Sequence, residues 1–263
     1  MQKYYRLHGK HLDLKNPQKF SEKLFSRMIF LNRKNNYQFT RLADKYLART
    51  YVSSRVGDEY LIKLLWHGKD PYKIPFERLP EQYVIKTNHG SGSVIVINGK
   101  VDKLDVTRRL SDWLKTNYYW VAREYHYFHI KPQVMIEEYL ENVDLSAPLD
   151  YRFWCFNGTP EIIQVDNHAH DINPFFDTHW NQLDLSYREG ATLPAIKKPT
   201  NLEEMLTVSA RLSADFDFVR VDLYNISGKI YFGELTFTPV AGGFKFQPES
   251  WDLKLGQKWE MSR

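Results

Sequence analysis

The stretch FVRVDLYNISGKIYFGELTFTP, residues 218–239, decides how the rest of the chain is read. It holds two strand-like runs, Phe218 to Tyr224 and Lys229 to Phe237, joined through Asn225-Ile226-Ser227-Gly228. Side chains alternate faces along a strand, so Arg220 and Asp222 share one face while Val219, Val221 and Leu223 fill the other. The same alternation puts Glu234 and Thr236 together, and a register centred on Gly228 sets Asp222 opposite Glu234 and Arg220 opposite Thr236. Like charges opposite one another on neighbouring strands are destabilising, more so beside Phe218 and Phe232, unless a cation intervenes. Hard oxygen ligands without His or Cys suit Mg²⁺, which keeps several waters and commonly bridges carboxylates to phosphates. The alternative is that Arg220 alone neutralises the pair on a solvated strand face. Asp222→Asn or Glu234→Gln is expected to abolish whatever activity depends on that cation and to leave the fold intact or steadier, because the amide removes repulsion along with the ligand.

Working outward, a helix over about 201–213 is expected from Leu202, Met205, Leu206 and Leu212 behind a capping box of Thr200 with Glu203. Residues 190–199, with two Pro and two Lys, read as an exposed loop. Gln133 to Tyr139, Tyr151 to Phe156 and residues 161–166 read as strands, and 104–128 as one helix carrying Trp113, Tyr118, Tyr119, Trp120, Tyr125 and Tyr127. Tyr83-Val84-Ile85-Lys86 and Val94-Ile95-Val96-Ile97 are strands either side of Asn88-His89-Gly90-Ser91-Gly92-Ser93. That loop offers unhindered backbone N–H groups and hydroxyls next to Lys86, the chemistry a phosphate needs, although a plain hairpin turn fits the same residues. It lacks the G-x-x-x-x-G-K-[ST] order of a P-loop and opens a strand, so a Rossmann fingerprint is excluded too. Before it, Phe20, Leu24, Met28 and Leu31, then Phe39, Leu42 and Tyr46, recur at helical spacing. The whole reads as α+β with mostly antiparallel sheet, in three parts: a helical segment 1–80, a small lobe 81–140 and a large lobe 141–263.

Composition bounds the function. The 263 residues are 43% hydrophobic and 26% charged, an ordinary globular balance. A net charge of +4 without a Lys/Arg block argues against nucleic acid as the main ligand and is compatible with anionic small molecules or polymers. Aromatic residues reach 15%, most simply a ring-rich core, otherwise surfaces for stacking sugars or bases. One cysteine, Cys155, precludes an internal disulfide, and with the opening MQKYYRLHGK lacking an apolar run this places the chain in the cytoplasm, any membrane association being peripheral.

Taken in order, Asp44-Lys45, VIKTNHGSGS at 84–93, IEEYL at 136–140, VRVDLY at 219–224 and FGELTFTP at 232–239 resemble the ATP-grasp superfamily. NPQKFSEKL, ADKYLARTYV, DYRFWCFNG, FDTHW and YFGELTFTPVAGG make the TupA-like branch the nearest likeness, from about residue 8 to 257. The resemblance implies an ATP-grasp fold of two α+β lobes holding ATP and Mg²⁺. It implies transfer of the γ-phosphate to a carboxylate and attack by an amine, in capsular or other cell-surface polysaccharide biosynthesis. It implies that Lys45 and Lys86 touch the phosphates and the adenine side, that His89 and Gly90, Ser91, Gly92 and Ser93 form the phosphate lid, and that Glu137 and Tyr139, with Glu138, bracket the adenine. Asp150 would meet the ribose, with Arg152 beside the nucleotide. Arg220 would stabilise the transferring phosphoryl group, and Asp222, Glu234 and Thr236 would hold Mg²⁺. Thr236 stands where the superfamily commonly has Asn, so a hydroxyl or a bridging water must serve. The amino-terminal substrate lobe is shortened, so an acidic glycan acceptor would dock on the helix 113–128 or the segment 168–180, with an amino compound as second substrate.

Other residues carry rival readings. Asp215 and Asp217 form an Asp-x-Asp triplet like that of nucleotide-sugar glycosyltransferases, and the aromatic helix alone would suit a non-catalytic glycan-binding module. His168, His170 and His179 lack the Cys partners or H-E-x-x-H helix of a zinc site. Cys155 is expected to be an inert core residue.

Overall fold

The computed structural model describes residues 1–33, 37–141, 148–167, 169–187 and 192–261. The chain divides into two compact units, residues 35–140 and residues 1–34 with 141–263. The expected division at residue 80 is not where the chain parts, since 35–80 share a unit with 81–140. Helices run Gln2–His8 (α1), Phe20–Arg33 (α2), Tyr37–Ala43 (α3), Ala48–Arg55 (α4), Lys103–Lys115 (α5), Tyr119–Ala122 (α6), Leu202–Ser213 (α7) and Ser250–Lys258 (α8).

In the unit of residues 35–140, strands β1 (Leu64–Gly68), β2 (Gln82–Thr87), β3 (Val94–Asn98) and β4 (Val134–Glu138) form an antiparallel sheet in the order β1-β4-β2-β3. Alternation does the sorting: Tyr83, Ile85, Ile95, Ile97, Val134 and Ile136 point into one core, where Val106 and Leu110 of α5 close over them. Asp102 caps α5 by accepting from the Asp105 N–H at 3.0 Å. β1 is a strand within a stretch read as helical, because Leu64-Leu65-Trp66-His67-Gly68 carries no alternation of its own and becomes strand through pairing with β4.

The helix expected over 104–128 is broken. α5 stops at Lys115, Thr116 is extended, the Asn117 side chain accepts from the Tyr119 N–H at 3.1 Å, and Arg123 turns left-handed at φ 62° before a 3₁₀ turn at Tyr125–Tyr127. Asn competes for backbone hydrogen bonds, and Tyr119, Trp120 and Val121 lose rotamer freedom in a helix, so nothing propagates the first turn.

In the other unit, strands β5 (Asp150–Phe156), β6 (Thr159–Asp166), β7 (Phe175–Asp177), β8 (Gln182–Leu183), β9 (Phe218–Ile226) and β10 (Lys229–Thr236) form an antiparallel sheet in the order β10-β9-β5-β6-β7-β8. One face, with Phe153, Cys155, Val219, Val221 and Leu223, is covered by α7 through Met205, Val208 and Leu212. The other face is aromatic at one end, where Trp154, Phe156 and Phe218 pack with Phe20 and Leu24 of α2, Phe244, Phe246, Leu255 and Trp259. Here the ring excess has become core. Toward the other end the same face turns polar. Asp217, half of the Asp-x-Asp triplet, is paired with the buried Arg27, which also donates to the Phe218 carbonyl at 2.7 Å and lies 4.3 Å from the Trp259 ring centroid.

α7 starts as expected, without the capping box: Asn201 is the N-cap, and its side-chain amide donates to the Gly228 carbonyl at 2.9 Å. Of the exposed loop, Gly190 and Ala191 lie outside the described residues, as does His168. Cys155 is fully buried among apolar neighbours, and burial pushes its thiol up to about 12, so it is inert. Among the described residues no helix is long and apolar enough to cross a membrane.

Candidate active site

The polar end of the β5–β9–β10 face is built by register. Glu234 pairs with Asp222 and Thr236 with Arg220 across β9 and β10, as the sequence reading has it, and Arg152 on β5 pairs with Asp222 from the other side. The turn itself would not give this. Ser227 and Gly228 are left-handed, at φ 50° and 89°, and Lys229 pairs with Ile226, a register that sets Asp222 against Gly233. A bulge between Phe232 and Glu234 shifts it by one residue and turns Glu234 onto the face of Asp222. A Cβ at Gly233 would stand 3.0 Å from the Asp222 carbonyl oxygen and 3.3 Å from the Tyr224 ring, so the bulge is closed enough to favour glycine.

Arg220 bridges this row. Its Nε donates to Asp222 Oδ1 at 2.7 Å and its Nη2 to Asp222 Oδ2 at 2.6 Å, with Thr236 Oγ1 at 3.1 Å and Glu234 Oε1 at 3.5 Å. The Thr236 hydroxyl donates to Glu234 Oε1 at 3.0 Å. Asp222 and Arg220 are buried, whereas the Glu234 side chain keeps 33% of its exposure. Burial pushes the Asp222 carboxyl up to about 6 against the pull of Arg220 and Arg152. Arg152 donates to Asp166 Oδ2 and, at 2.9 Å, to Asp150 Oδ2, and its Nε lies 3.7 Å from Asp222 Oδ2. Burial works against the Arg152 charge, but Asp222, Asp150 and Asp166 together hold it firmly protonated. The Tyr224 hydroxyl, on the face of Asp222, is raised well above its ordinary range by the Asp150 charge and then by burial, so it stays a donor.

The donor set of Asp222, Glu234 and Thr236 is all hard oxygen and fits Mg²⁺ chemically. Fit requires a change of partner, because both Asp222 oxygens are taken by Arg220.

In the unit of residues 35–140 a second cluster forms. Lys86 Nζ and Arg49 Nη1 lie 2.5 and 3.2 Å from the two oxygens of Glu137, which is buried on β4. Lys45 Nζ donates to the Gly90 carbonyl at 2.8 Å, and its backbone N–H to the Asn88 carbonyl at 3.1 Å. Buried Asp44 closes the turn that leads into α4, accepting from the Tyr46 and Leu47 N–H groups at 2.9 and 3.1 Å. The glycine loop is a hairpin connection, closed by Thr87 N–H to the Ser93 carbonyl at 3.2 Å, whose stem is fixed and whose tip is open. Asn88 is fully buried, donating to the Lys131 carbonyl at 3.1 Å. His89 presents Nε2 to the Trp113 and Thr116 carbonyls at 3.2 and 3.1 Å, so that nitrogen carries the proton, and burial lowers its pKa. Its ring is thus an anchor for the end of α5. Gly90 is buried against the Tyr118 ring, while Ser91 and Gly92 are exposed.

The sequence-derived residues therefore fall into two groups. Lys45, Lys86, Gly90 to Ser93 and Glu137 lie together, with Glu138 exposed and Tyr139 half-buried at the end of β4. Asp150, Arg152, Arg220, Asp222, Glu234 and Thr236 form the other. Reading the sequence missed Arg49, Asp166 and Tyr224. Arg49 stands four residues after Lys45, Asp166 ends the apolar run EIIQVD, and Tyr224 continues the alternation of Arg220 and Asp222, so each had a signal. His170 Nδ1 lies 3.1 Å from Asp166 Oδ2, His179 is exposed, and among the described residues no group of three or more His, Cys, Asp and Glu could hold a metal.

The TupA-like ATP-grasp family model matches residues 22–260. No curated protein matches the chain. Solved structures that resemble it include the D-alanine–D-alanine ligase of Bacillus anthracis, at 18% identity and TM-score 0.47 over 76% of this chain and 58% of that one. The D-alanine–D-alanine ligase of Helicobacter pylori matches at 14% identity and TM-score 0.47, over 82% of this chain and 59% of that one. Phosphoribosylamine–glycine ligase of Thermotoga maritima matches at 13% and 0.45, over 78% and 51%. The chain thus spans little more than half the length of these ligases. With the family model covering all but the ends of the sequence, the chain belongs to the TupA-like ATP-grasp family and has its α+β fold.

Proposed function

We propose that the protein is a Mg²⁺- and ATP-dependent carboxylate–amine ligase of capsular or other cell-surface polysaccharide biosynthesis, acting in the cytoplasm. In the reaction a substrate carboxylate oxygen attacks the γ-phosphorus of ATP and ADP leaves. An amine then attacks the acyl carbon, loses a proton and expels phosphate, giving an amide. The observation that carries the reading is the single row Glu234–Asp222–Arg152 with Arg220 and Thr236 beside it, two carboxylates and a guanidinium fork presented by paired strands.

In this reading Asp222, Glu234 and Thr236 hold Mg²⁺, which would neutralise the phosphate charge when bound. Arg220 gives up Asp222 and turns its planar fork to the phosphoryl oxygens, where charge develops in transfer. Lys86, Lys45 and the Gly90 to Ser93 tip bind phosphate oxygens, and Arg49 supports Lys86 from across Glu137. Glu137 serves as the counter-ion of Lys86, and adenine recognition falls to Glu138, Tyr139 and the backbone at the end of β4. Asp150 meets the ribose only by sharing its carboxylate with Arg152. The acceptor is an acidic glycan carboxylate, its sugar stacking on the Tyr119, Trp120 and Tyr125 rings. Trp120 is 60% exposed, which leaves its ring available.

The glycosyltransferase alternative loses support from Asp217, which is committed to Arg27. The test is product release: ADP and phosphate should form only when Mg²⁺, a uronate-bearing oligosaccharide and an amino acid are all present. Release of a nucleotide from a sugar donor would favour the transferase, and neither reaction would favour a binding module.

A further inference from the structure

Asp222 is approached by two arginines, and their geometries differ in a way that suggests separate tasks. Arg220 holds both oxygens with short, aligned bonds. Arg152 is anchored elsewhere, its two Nη groups on Asp166 and Asp150. Its Nε is left buried with no hydrogen-bond partner, 3.7 Å from Asp222 Oδ2. A buried guanidinium N–H without an acceptor is costly, and natural proteins seldom leave one without reason. That same oxygen, Asp222 Oδ2, is the one that Arg220 Nη2 now occupies at 2.6 Å.

We propose that Arg152 is a positioning residue for Asp222: its idle Nε takes up Asp222 Oδ2 when Arg220 leaves it, fixing the carboxylate for the metal. This rests on the ligase reading and deepens it, assigning the two arginines different parts. Arg220 is the exchangeable partner. Arg152 is the permanent one, immobilised because its Nη groups are tied to Asp150 and to Asp166, which is fully buried. Without it, the carboxylate released by Arg220 would be free to rotate, and the site would lose the preorganisation that hard-cation binding needs. Oδ1, which Arg220 Nε now holds, would be released by the same exchange.

The experiment compares nucleotide binding with and without metal in the full chain, using ADP titrated in EDTA and then at rising Mg²⁺, with Mn²⁺ binding read by electron paramagnetic resonance. In Arg152→Lys, which keeps the charge and loses the Nε donor, the half-saturating Mg²⁺ should rise about ten- to a hundredfold. ADP affinity in EDTA, measured for each protein, is the reference from which that rise is taken, because Arg152 also holds Asp150. A merely structural Arg152 would leave the Mg²⁺ requirement where it is. An unchanged Mg²⁺ requirement in a folded Arg152→Lys protein overturns the proposal. A parent protein whose ADP affinity gains nothing from Mg²⁺ overturns the ligase reading with it. Should the variant not fold, the parent answers alone: the Arg152 Nε–Hε resonance should move downfield on adding Mg²⁺ with a non-hydrolysable ATP analogue, and a stationary resonance overturns the proposal.

Discussion

The two units each carry a charge cluster, and the clusters are unbalanced in opposite senses. In residues 35–140 one carboxylate, Glu137, sits under two cations, Lys86 and Arg49. On the β6–β5–β9–β10 face four carboxylates, Asp150, Asp166, Asp222 and Glu234, meet two arginines, Arg152 and Arg220, with the His170 ring beside Asp166. Among the described residues the first is the richer in cations and the second in carboxylates. Buried ions are tolerated only when paired, so each cluster has to stay whole before any ligand arrives. In the proposed function Glu137 steadies cations that a phosphate will use, and Arg220 occupies carboxylate oxygens that a divalent cation will use. In that proposal the difference between the regions is a difference in the sign of the ligand, and the pairing in each marks the residue that would give way.

The largest effect should come from the residue that gives way on the acidic side. Arg220→Lys replaces a fork with a point charge, which can stay on Asp222 or reach a phosphoryl group but not match the planar geometry of both. We expect kcat to fall about a hundredfold or more, with nucleotide affinity nearly unchanged, measured by steady-state ADP release. A fall in affinity with kcat preserved would reverse the roles given to the two clusters.

Stability should separate the carboxylates next. Sequence alone suggested that an amide at 222 or 234 would leave the fold intact or steadier, but Asp222 is the bidentate partner of a buried arginine. Asp222→Asn leaves Arg220 under-compensated in the interior and should cost about 3 kcal/mol. Glu234→Gln, at a third-exposed side chain, should stay within about 0.5 kcal/mol of the parent. Both should lose turnover. Thermal and denaturant melts check the pair, and equal melting of the two variants would contradict the burial difference.

The row itself was legible because strands have a period of two: Arg220, Asp222, Glu234 and Thr236 stand where alternation puts them. The pairing was legible for an incomplete reason, since a hairpin turning at Ser227-Gly228 reaches Asp222 opposite Glu234 only through the bulge at Gly233. Glycine at 233 was in view, yet whether it bulges depends on the Asp222 carbonyl and Tyr224 ring across the ladder. Arg152 meets Asp166 and Asp222 through strand order, which no local pattern encodes. The basic cluster was half legible: Lys45 and Lys86 stood out, but the burial of Glu137 between Lys86 and Arg49 needs β4 at the centre of its sheet. The helix assigned to 104–128 failed because aromatic spacing was read as helical while Asn117 ends it.

On the basic side, Lys86→Met should weaken ADP binding about tenfold even in EDTA, the loss of one charge-assisted phosphate contact. Asp222→Asn should leave that metal-free binding alone and abolish only the gain from Mg²⁺. Isothermal titration of both variants with and without metal tests the opposite signs directly. Equal loss for both in EDTA would mean that the clusters do not divide anion from cation.

A further small effect on stability is expected outside both clusters, at Trp120. A tryptophan in the core, such as Trp154 or Trp259, both with no exposed area, would cost about 3–5 kcal/mol on truncation to Ala. Trp120 keeps 60% of its surface, and its contacts are the Tyr119 ring at 5.0 Å, the Phe128 ring at 6.2 Å and the Arg123 guanidinium 4.9 Å from its centroid. Exposed contacts of this kind are worth about 1 kcal/mol together, so Trp120→Ala should melt close to the parent. An exposed indole that contributes little to folding, beside a cation and two further rings, is well made for the face of an anionic sugar. If it serves the acceptor, the variant should raise acceptor KM at unchanged kcat and unchanged nucleotide affinity, because stacking acts equally on bound substrate and transition state. A melt lowered as far as that of a core tryptophan would return the ring to structure. A parental melt with parental acceptor KM would move the acceptor to residues 169–180, where Trp180 stacks on Phe176 with ring centroids 4.3 Å apart.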